Sequence, residues 1–308
     1  MQSDPIGRSL VVMEGGCEVL LFGTMGDIGQ TVCIDLRRHG IDAVSVDFPQ
    51  NTFRDEPGYR RELLKAVRRY SPSMIIPIGS QLAMARFKDR LPADIIVPVE
   101  GEEKIALLES KVDCSVLAES LGIAQPRVFL YSSDAIRDSV SLSSELSDIL
   151  SDADFPVIFK RDRSFGGSGV YRPRTREALV RLIGHEPAAR YLVEEYVDGY
   201  DCSVDAIRLH GFFAAGCYRA LANHGQGPAT ERKSVQMPML CSIARHILEH
   251  LDYNGVCGMD FRMSQSGVPL FLECNPRFTG GITTQIEAGF DLPFLLYSVA
   301  KKGQVVTV

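Results

Sequence analysis

The sequence predicts an α/β fold with a parallel sheet in its first hundred residues and an α+β fold with an antiparallel sheet in its second half. Short apolar runs alternate with amphipathic helical segments from residue 17 to residue 99, which is typical of a parallel sheet covered by helices on both faces. From residue 155 onward, strand patterns follow one another across turns such as "QSG" at 265–267, which favours antiparallel pairing. The length of 308 residues suits about two domains.

The first part consists of short elements in alternation. The pattern predicts strands at 17–23, 42–48, 73–79 and 94–99, and helices at 30–40, 58–70 and 81–90. A helical pattern then covers 101–123, where Gly122 is the predicted stop. Parallel sheets bind their ligands beyond the carboxyl ends of the strands, so we expect binding residues there.

The second part reads as hairpins with a few covering helices. Strands are predicted at 126–132, 155–162, 190–199, 201–221 (two antiparallel strands), 256–264 and 268–275, with helices at 175–185 and 237–253. Residues 132–153 are expected to form a surface helix and loops. Residues 222–236 are predicted to be a long loop that meets substrate through His224, Glu231, Arg232 and Lys233.

Composition and charge exclude several classes of protein. The formal net charge is −6 and no long basic run is present, which argues against a protein that binds nucleic acid. The sequence has no stretch of 18 apolar residues, so we expect no membrane span. The N-terminus lacks the pattern of a signal peptide, and the eight cysteines are scattered without a CxxC pair. We therefore expect a cytoplasmic protein with reduced thiols.

A first glycine cluster, "GTMGDIG" at 23–29, follows a predicted strand and opens a helix. Asp47 closes the next strand about 20 residues on, as in the dinucleotide-binding fingerprint. The spacing is GxxGxxG rather than GxGxxG, so the first turn differs. An NAD(P)-dependent oxidoreductase built on this turn is an alternative that stays open, although a turn facing another small ligand fits the spacing better.

A second glycine cluster lies beside a lysine. In "FKRDRSFGGSGVYR" at 159–172, an apolar strand ends at Lys160, and a predicted hairpin tip follows at 166–169. Backbone amides of such turns can lie over phosphate oxygens, and a lysine on the adjoining strand can hold a phosphate charge. The cluster is neither a GxxxxGK[ST] loop nor part of a protein kinase, because the required flanking motifs are absent from the sequence.

The carboxylates favour a nucleotide site with a metal. In "FLECNPRFTGG" at 271–281, Glu273 and Asn275 alternate along one face of a strand, and Arg277 follows just beyond it. A hairpin would place Asp260 on the neighbouring strand, and such oxygen ligands, together with substrate phosphates, suit magnesium. Earlier in the chain, Glu194 and the nearby Asp201 are candidates for contacts with an adenine and a ribose.

In order and spacing these motifs resemble the ATP-grasp ligases, and specifically the branch similar to the carbamoyl-phosphate synthetase large subunit. The likeness covers nearly the whole chain. It implies an ATP-grasp fold with a parallel αβ pre-domain at 1–105, a small central lid domain at 106–200 and a C-terminal antiparallel-sheet domain at 201–308. It also implies ATP and two Mg²⁺ ions, or Mn²⁺, as cofactors.

The resemblance assigns roles residue by residue. The metal ligands would be Asp260, Glu273 as the bridging acid, and Asn275, while Arg277 would steady the transferred phosphate. The nucleotide would be held by the following residues: Lys111, Lys160, Ser164, Gly166, Gly167, Ser168, Gly169, Glu194, Glu195, Tyr196, Val197 and Asp201. Some relatives carry an arginine two residues before the first metal acid, where this sequence has Gly258. Arg262, Arg219 or Lys233 would then cover the acyl phosphate, and Lys160, Lys233, Arg262 and Arg277 are the expected catalytic residues.

The implied activity is that of a stand-alone carboxylate–amine ligase. ATP would phosphorylate a substrate carboxylate, an amine would attack the acyl phosphate, and an amide would form with release of ADP and phosphate. We expect small-molecule partners that include an amino acid, no nucleic acid, no membrane, and leave a homodimer open. A non-catalytic ATP-binding regulator is a further alternative, against which the intact set of metal ligands argues.

Overall fold

The computed structural model describes residues 16–23, 26–47, 56–132, 139–164, 166–185, 190–223 and 229–302. Three sheets account for the strands in this part of the chain. The first is parallel, and the other two are antiparallel. This is the division between an α/β part and an α+β part that the sequence predicts.

The first sheet has the order β2-β1-β3, and its strands are all parallel. Its elements are β1 (Val19–Phe22), α1 (Asp27–Arg38), β2 (Ala43–Val46), α2 (Glu56–Tyr70), β3 (Met74–Pro77) and α3 (Gln81–Phe87). The strand predicted at 94–99 is wrong: this segment joins β3 through a single bridge between Met74 and Ile96. Pro98 has no N–H to extend the pairing, which is one reason why the apolar run does not become a full edge strand.

The helical pattern at 101–123 is divided into α4 (Glu102–Glu109) and α5 (Lys111–Ser120). Ser110 interrupts it, since its hydroxyl accepts a hydrogen bond from the backbone N–H of Asp113 at 3.0 Å and so caps α5. The same hydroxyl donates to Asp162 at 3.0 Å. The predicted stop is confirmed, because Gly122 follows the last turn with a φ of 66°.

The second sheet has the order β4-β7-β5-β6. Its elements are β4 (Val128–Tyr131), α6 (Ser139–Ile149), β5 (Val157–Arg161), β6 (Val170–Tyr171), α7 (Arg176–His185) and β7 (Tyr191–Glu195). One face is covered by α6 and α7, where Leu146 and Leu179 pack with Phe159 and Val193 of the sheet. The other face is therefore left to contribute to a site.

The third sheet has the order β10-β9-β8-β11-β12. Its elements are β8 (Gly199–Leu209), β9 (Phe212–Asn223), β10 (Ala229–Val235), α8 (Pro238–His250), β11 (Gly255–Ser264) and β12 (Pro269–Asn275), followed by α9 (Ile282–Glu287) and α10 (Leu292–Lys302). The loop predicted at 222–236 is wrong, since most of it is strand, and β10 pairs with β9. Its run of Glu231, Arg232 and Lys233 hides the strand pattern because an edge strand is often charged. His224 lies outside the described residues.

The third sheet is packed on both faces. Cys114 of α5 and Ala244 of α8 belong to the core on one face. On the other face, Ile207 and Leu209 of β8 join a core that includes buried residues of the first sheet and of α10, such as Leu296. The three sheets fall within the three predicted domain ranges, except that β8 begins at Gly199. The domain bounds themselves stay a prediction.

A charged contact joins α1 to the start of α10. His39 Nε2 lies 2.5 Å from Asp291 Oδ2, and the His39 ring stacks on Phe294 with ring centroids 4.0 Å apart. Asp35, one turn before His39, is 3% exposed. Burial raises the pKa of the Asp35 carboxyl to about 7, and a hydrogen bond and the negative charge of Asp291 act in the same direction.

The raised pKa of Asp35 predicts a pH-dependent stability. The folded protein binds this proton more tightly than the unfolded chain, whose aspartate pKa is about 3.9. The resulting stabilisation is full below pH 4 and is lost as the pH rises through 7. We expect the free energy of unfolding to fall between pH 5 and pH 8 by at least about 1 kcal/mol more in the wild type than in Asp35→Asn, as measured by urea unfolding.

The exposed Asp42→Asn is the matched control, and it should keep the wild-type pH slope. Equal slopes in Asp35→Asn and the wild type would show that the Asp35 carboxyl titrates normally.

Candidate functional site

A cavity of about 850 Å³ is bounded by the second and third sheets, with α1 at one side. It brings together most of the residues that the sequence singled out. Of the described residues predicted to contact nucleotide, metal or substrate, five do not line it, namely Ser168, Gly169, Arg219, Glu231 and Lys233. The predicted residues that line it are Lys111, Lys160, Ser164, Gly166, Gly167, Glu194, Glu195, Tyr196, Val197, Asp201, Asp260, Arg262, Glu273, Asn275 and Arg277.

Two buried lysines face this cavity, and each contacts one carboxylate. Lys111, the first residue of α5, places its Nζ 3.0 Å from Glu273 Oε2 of β12 and donates to the backbone oxygen of Ser164. Lys160 of β5 places its Nζ 2.5 Å from Glu194 Oε1 of β7, and both of these side chains are buried. Burial raises the pKa of Glu194, although the Lys160 charge opposes this rise. Each of these buried lysines is thus paired with one carboxylate at the cavity wall.

The carboxylates lie where β11 pairs with β12. Asp260 is directly opposite Glu273, and the register shifts by one residue immediately after this pair. Such a β-bulge re-aims side chains and is frequent next to active sites. Asp260 accepts hydrogen bonds from the hydroxyl of Ser203 at 2.6 Å and from the amide nitrogen of Asn275 at 3.2 Å. The structure thus shows Asp260 beside Glu273 and Asn275 on two adjacent strands, as predicted.

The two carboxylates differ in how readily they ionise. Burial raises the pKa of Asp260 to about 7, and the negative charge of Glu273 adds to the rise. Burial also acts to raise the pKa of Glu273, but the charges of Lys111 and Lys160 outweigh it and hold this pKa below its usual range. A divalent cation would relieve the repulsion between the two acids. Their oxygens, together with the side-chain oxygen of Asn275, form a donor set of the kind that magnesium prefers.

The segment between β7 and β8 has the features of a hinge for a planar ring. Val197 lines the cavity, and its backbone N–H makes no hydrogen bond to any residue in the described part of the chain. Its backbone oxygen accepts from Arg262 Nε at 3.0 Å, and Arg262 Nη1 lies 2.7 Å from Asp201 Oδ1. Across the segment, the guanidinium carbon of Arg172 lies 3.4 Å from the ring centroid of Tyr196. Arg262, predicted to cover an acyl phosphate, is therefore bound at the hinge.

Two arginines line the cavity and could bind an anion, whereas one predicted lysine does not line it. Arg277 lines the cavity and donates to Asn275 Oδ1 at 3.0 Å. Arg232 also lines it, whereas the next residue, Lys233, is exposed and pairs across β9 with the exposed Arg219. Because successive residues of a strand point to opposite faces, Lys233 and Arg219 lie on the face away from the cavity. The structure thus places Arg232, rather than its neighbour Lys233, on the wall of the cavity.

Two glycines allow the chain to approach the site closely. A Cβ on Gly281 would lie 2.1 Å from Cε1 of Tyr218, so the backbone approaches this ring closely. A Cβ on Gly258 would lie 2.1 Å from Cγ2 of Thr279. The position where some relatives carry an arginine therefore has no room for a side chain in this fold.

The glycine-rich turn after β5 is partly in contact with the cavity. Gly166 and Gly167 line it, and both have a positive φ that suits glycine, 62° and 77°. Gly169 is also in the left-handed region at 76°, and its position leaves no room for a Cβ beside Arg161. Phe165 lies outside the described residues. The turn can present backbone amides to a ligand, as predicted.

Several cavity residues were missed as site residues. Ser203, Tyr218 and Thr279 line the cavity although no role was predicted for them, and Thr279 lies within the segment at 271–281. Asp27 lines it from within the glycine cluster at 23–29, and Thr31 follows one turn later in α1. Asp47, the acid of the dinucleotide-like pattern, is exposed and does not line the cavity. Within the described residues no helix is both long and apolar enough to span a membrane.

Comparisons with known proteins agree with this geometry. Residues 188–308 match the family model described as "ATP-grasp in the biosynthetic pathway with Ter operon". No curated protein sequence matches the chain.

Solved structures resemble the chain over most of its length. Biotin carboxylase from Campylobacter jejuni, solved as a β-γ-ATP complex, has a TM-score of 0.74 at 15% identity over 95% of this chain and 72% of its own. N5-carboxyaminoimidazole synthase from Aspergillus clavatus, solved with ADP and an aminoimidazole ribonucleotide, gives 0.69 at 12% identity over 95% and 78%. An L-amino acid ligase from Bacillus licheniformis gives 0.66 at 14% identity over 92% and 74%.

The family match covers the third sheet and the hinge, and the structural likeness extends to the first and second sheets. The chain therefore has the ATP-grasp fold, and the resemblance of its sequence to the ATP-grasp superfamily is confirmed.

Proposed function

We propose that the protein is an ATP-dependent carboxylate–amine ligase that works through an acyl phosphate. The observation that carries this proposal is the meeting of two buried lysine–carboxylate pairs with the Asp260–Asn275 group and Arg277 in one cavity. Phosphoryl transfer needs positive charge and alignment more than it needs a strong base. Relatives solved with ATP or ADP support the nucleotide, and an amino acid ligase among them supports the substrate class.

In the proposed complex the adenine lies against the hinge, where the backbone N–H of Val197 is available as a donor. Asp201, oriented by Arg262, binds the ribose. Lys111 and Lys160 exchange their carboxylate partners for phosphate oxygens, and the backbone of Gly166 and Gly167 covers the phosphates. Each lysine then keeps an anionic partner.

Asp260, Glu273 and Asn275 would hold two Mg²⁺ ions, or Mn²⁺, which supply neutralisation of the phosphate charge when bound. Arg277 and Arg232 hold the carboxylate and the phosphate that is transferred to it. A carboxylate oxygen attacks the γ-phosphorus and the bond to ADP breaks. The amine nitrogen then attacks the acyl carbon, the bond from that carbon to the phosphate oxygen breaks, and the nitrogen loses a proton.

Small-molecule acids and amines are the proposed partners, and a cytoplasmic location and a homodimer stay predictions. A non-catalytic ATP-binding regulator would not require the arrangement of acids and arginines beside the phosphate site. The direct test is incubation with ATP, magnesium and a panel of carboxylic acids, with hydroxylamine as the nucleophile. Formation of ADP together with a hydroxamate supports the ligase, whereas ATP binding without either product favours the regulator.

A thermal-shift experiment separates ATP from the dinucleotides. We expect ATP with magnesium to raise the melting temperature, because it would bridge the second and third sheets and bind the folded state only. NAD and NADP should leave it unchanged, since Asp47 lies away from the cavity. Strong stabilisation by NAD or NADP alone would instead favour the oxidoreductase.

Glu273→Gln tests the metal ligands. The substitution keeps the size of the side chain but removes the charge that contacts Lys111 and that we place between the metal ions. We expect magnesium-dependent ATP binding to be lost in calorimetry, with ADP formation at background. Glu287→Gln, on the exposed side of α9, is the control. Unchanged affinity and turnover in Glu273→Gln would remove Glu273 from the site.

The hinge is tested by ranking three substitutions by how much each weakens ATP binding. Val197→Ala keeps the backbone donor and loses packing of about 1 kcal/mol, whereas Asp201→Ala loses a charge-assisted hydrogen bond of about 1.5–3 kcal/mol. Lys160→Ala should weaken ATP binding at least as much, because a phosphate charge in a closed site loses its partner. Dissociation constants from calorimetry on folded variants give the order, and Val197→Ala as the worst of the three would place the hinge elsewhere.

A further inference from the structure

Part of the cavity wall lies outside the residues proposed for nucleotide and metal. This part, here called the distal wall, is formed by residues of α1, β10, α9 and the turn before α9. Thr31 Oγ1 of α1 and Thr283 Oγ1 of α9 lie 3.4 Å apart, so the two helices meet at this wall. Its residues are Asp27, Ile28, Thr31, Arg232, Gly280, Ile282 and Thr283.

One carboxylate in this cavity has no place in the proposed nucleotide site. Six acidic residues line the cavity, and five of them belong to the hinge, the lysine pairs or the metal ligands, namely Glu194, Glu195, Asp201, Asp260 and Glu273. The sixth is Asp27. It is solvent-exposed, and it has no ion pair with any residue in the described part of the chain. A carboxylate of this kind is available to a cationic ligand.

The same cavity also offers cations without carboxylate partners. Neither Arg232 nor Arg277 has a carboxylate within 4.0 Å among the described residues, and the Nε of Arg232 is buried without a hydrogen-bond partner there. Gly280 lies beside the Arg232 guanidinium, with only 3.3 Å between its Nη2 and an added Cβ. These half-buried arginines can bind an anionic group.

We infer that Asp27 binds the ammonium group of an amino acid whose carboxylate is the group phosphorylated at Arg232 and Arg277. The inference rests on the proposed function. Asp27, Arg232 and Arg277 line one cavity and together match a ligand with both charges, and the half-buried Ile28 lines the same cavity. The substrate class is therefore a zwitterionic amino acid that acts as the acid donor.

The test compares acids that differ only in the amino group. Wild-type protein, ATP and magnesium are incubated with hydroxylamine and either alanine or propionate, and either leucine or 4-methylpentanoate, with hydroxamate and ADP measured. We expect kcat/KM to favour the amino acid of each pair by about ten- to a hundredfold, the range of a charge-assisted hydrogen bond. Asp27→Asn should reduce this preference about tenfold or more by raising KM for the amino acid, with KM for ATP unchanged.

Asp42→Asn, an exposed acid outside the cavity, is the matched control and should keep the wild-type preference. Asp27→Glu should restore part of the preference lost in Asp27→Asn, and melting curves confirm that both variants are folded. Hydroxamate formation with the same preference in the wild type and Asp27→Asn would overturn the role of Asp27 and leave the proposed ligase standing. Absence of hydroxamate from every acid in the wild type would count against the ligase itself, and the role of Asp27 would fall with it.

Discussion

The arrangement of the site depends on two lysine charges that the fold removes from water. Lys160 and Lys111 are each about 5–6% exposed, and such charges are tolerated only with a close anionic partner. Glu194 and Glu273 provide these partners. The strands that carry the acids must therefore hold their register, since a slip of one residue would turn each carboxylate to the opposite face. Because these charges must be paired, the arrangement of the site depends on the register of the surrounding strands.

The two ion pairs differ in what they join. Lys160 and Glu194 lie on neighbouring strands of the second sheet, so their contact is internal to that sheet. Lys111 starts α5, whereas Glu273 belongs to the third sheet, so this contact crosses between separate elements. A ligand with several phosphates would take over both lysines at once. This one ligand would then replace both ion pairs, and it would contact the second sheet and α5 together.

Much of the fold could be predicted because the spacing of apolar residues along the sequence distinguishes strands from helices. Alternation of strands and helices predicts the parallel sheet, and the hairpin patterns predict the antiparallel ones. The failures have local causes: Pro98 limits an edge segment, Ser110 divides a helix, and the charged run at 231–233 hides an edge strand. An edge strand that is charged and largely exposed shows little alternation of apolar and polar residues, so its sequence pattern is weak.

The site could be predicted where its residues are close in sequence or fall in recognisable motifs. The alternation of Glu273 and Asn275 shows their shared face, and Lys160 precedes its glycine turn. The choice between Arg232 and Lys233 could not be made, because it depends on which face of an unrecognised strand points inward. The sequence indicates that the glycine turn at 23–29 faces a small ligand, but not that it shares a cavity with the carboxylates, since that results from packing between segments some 250 residues apart.

The interruption of the helical segment at Ser110 also links the start of α5 to the second sheet. Asp162, just beyond the end of β5, accepts hydrogen bonds from the hydroxyl of Ser110 and from the backbone N–H of Val112. Arg190 adds a bidentate contact from the second sheet's side to Asp113, in the first turn of α5. The start of α5 is thereby fastened to the sheet that carries Lys160, while the body of the helix packs on the third sheet. A movement of the second sheet would thus pull on the first turn of α5, and the ammonium group of Lys111 would move with that sheet.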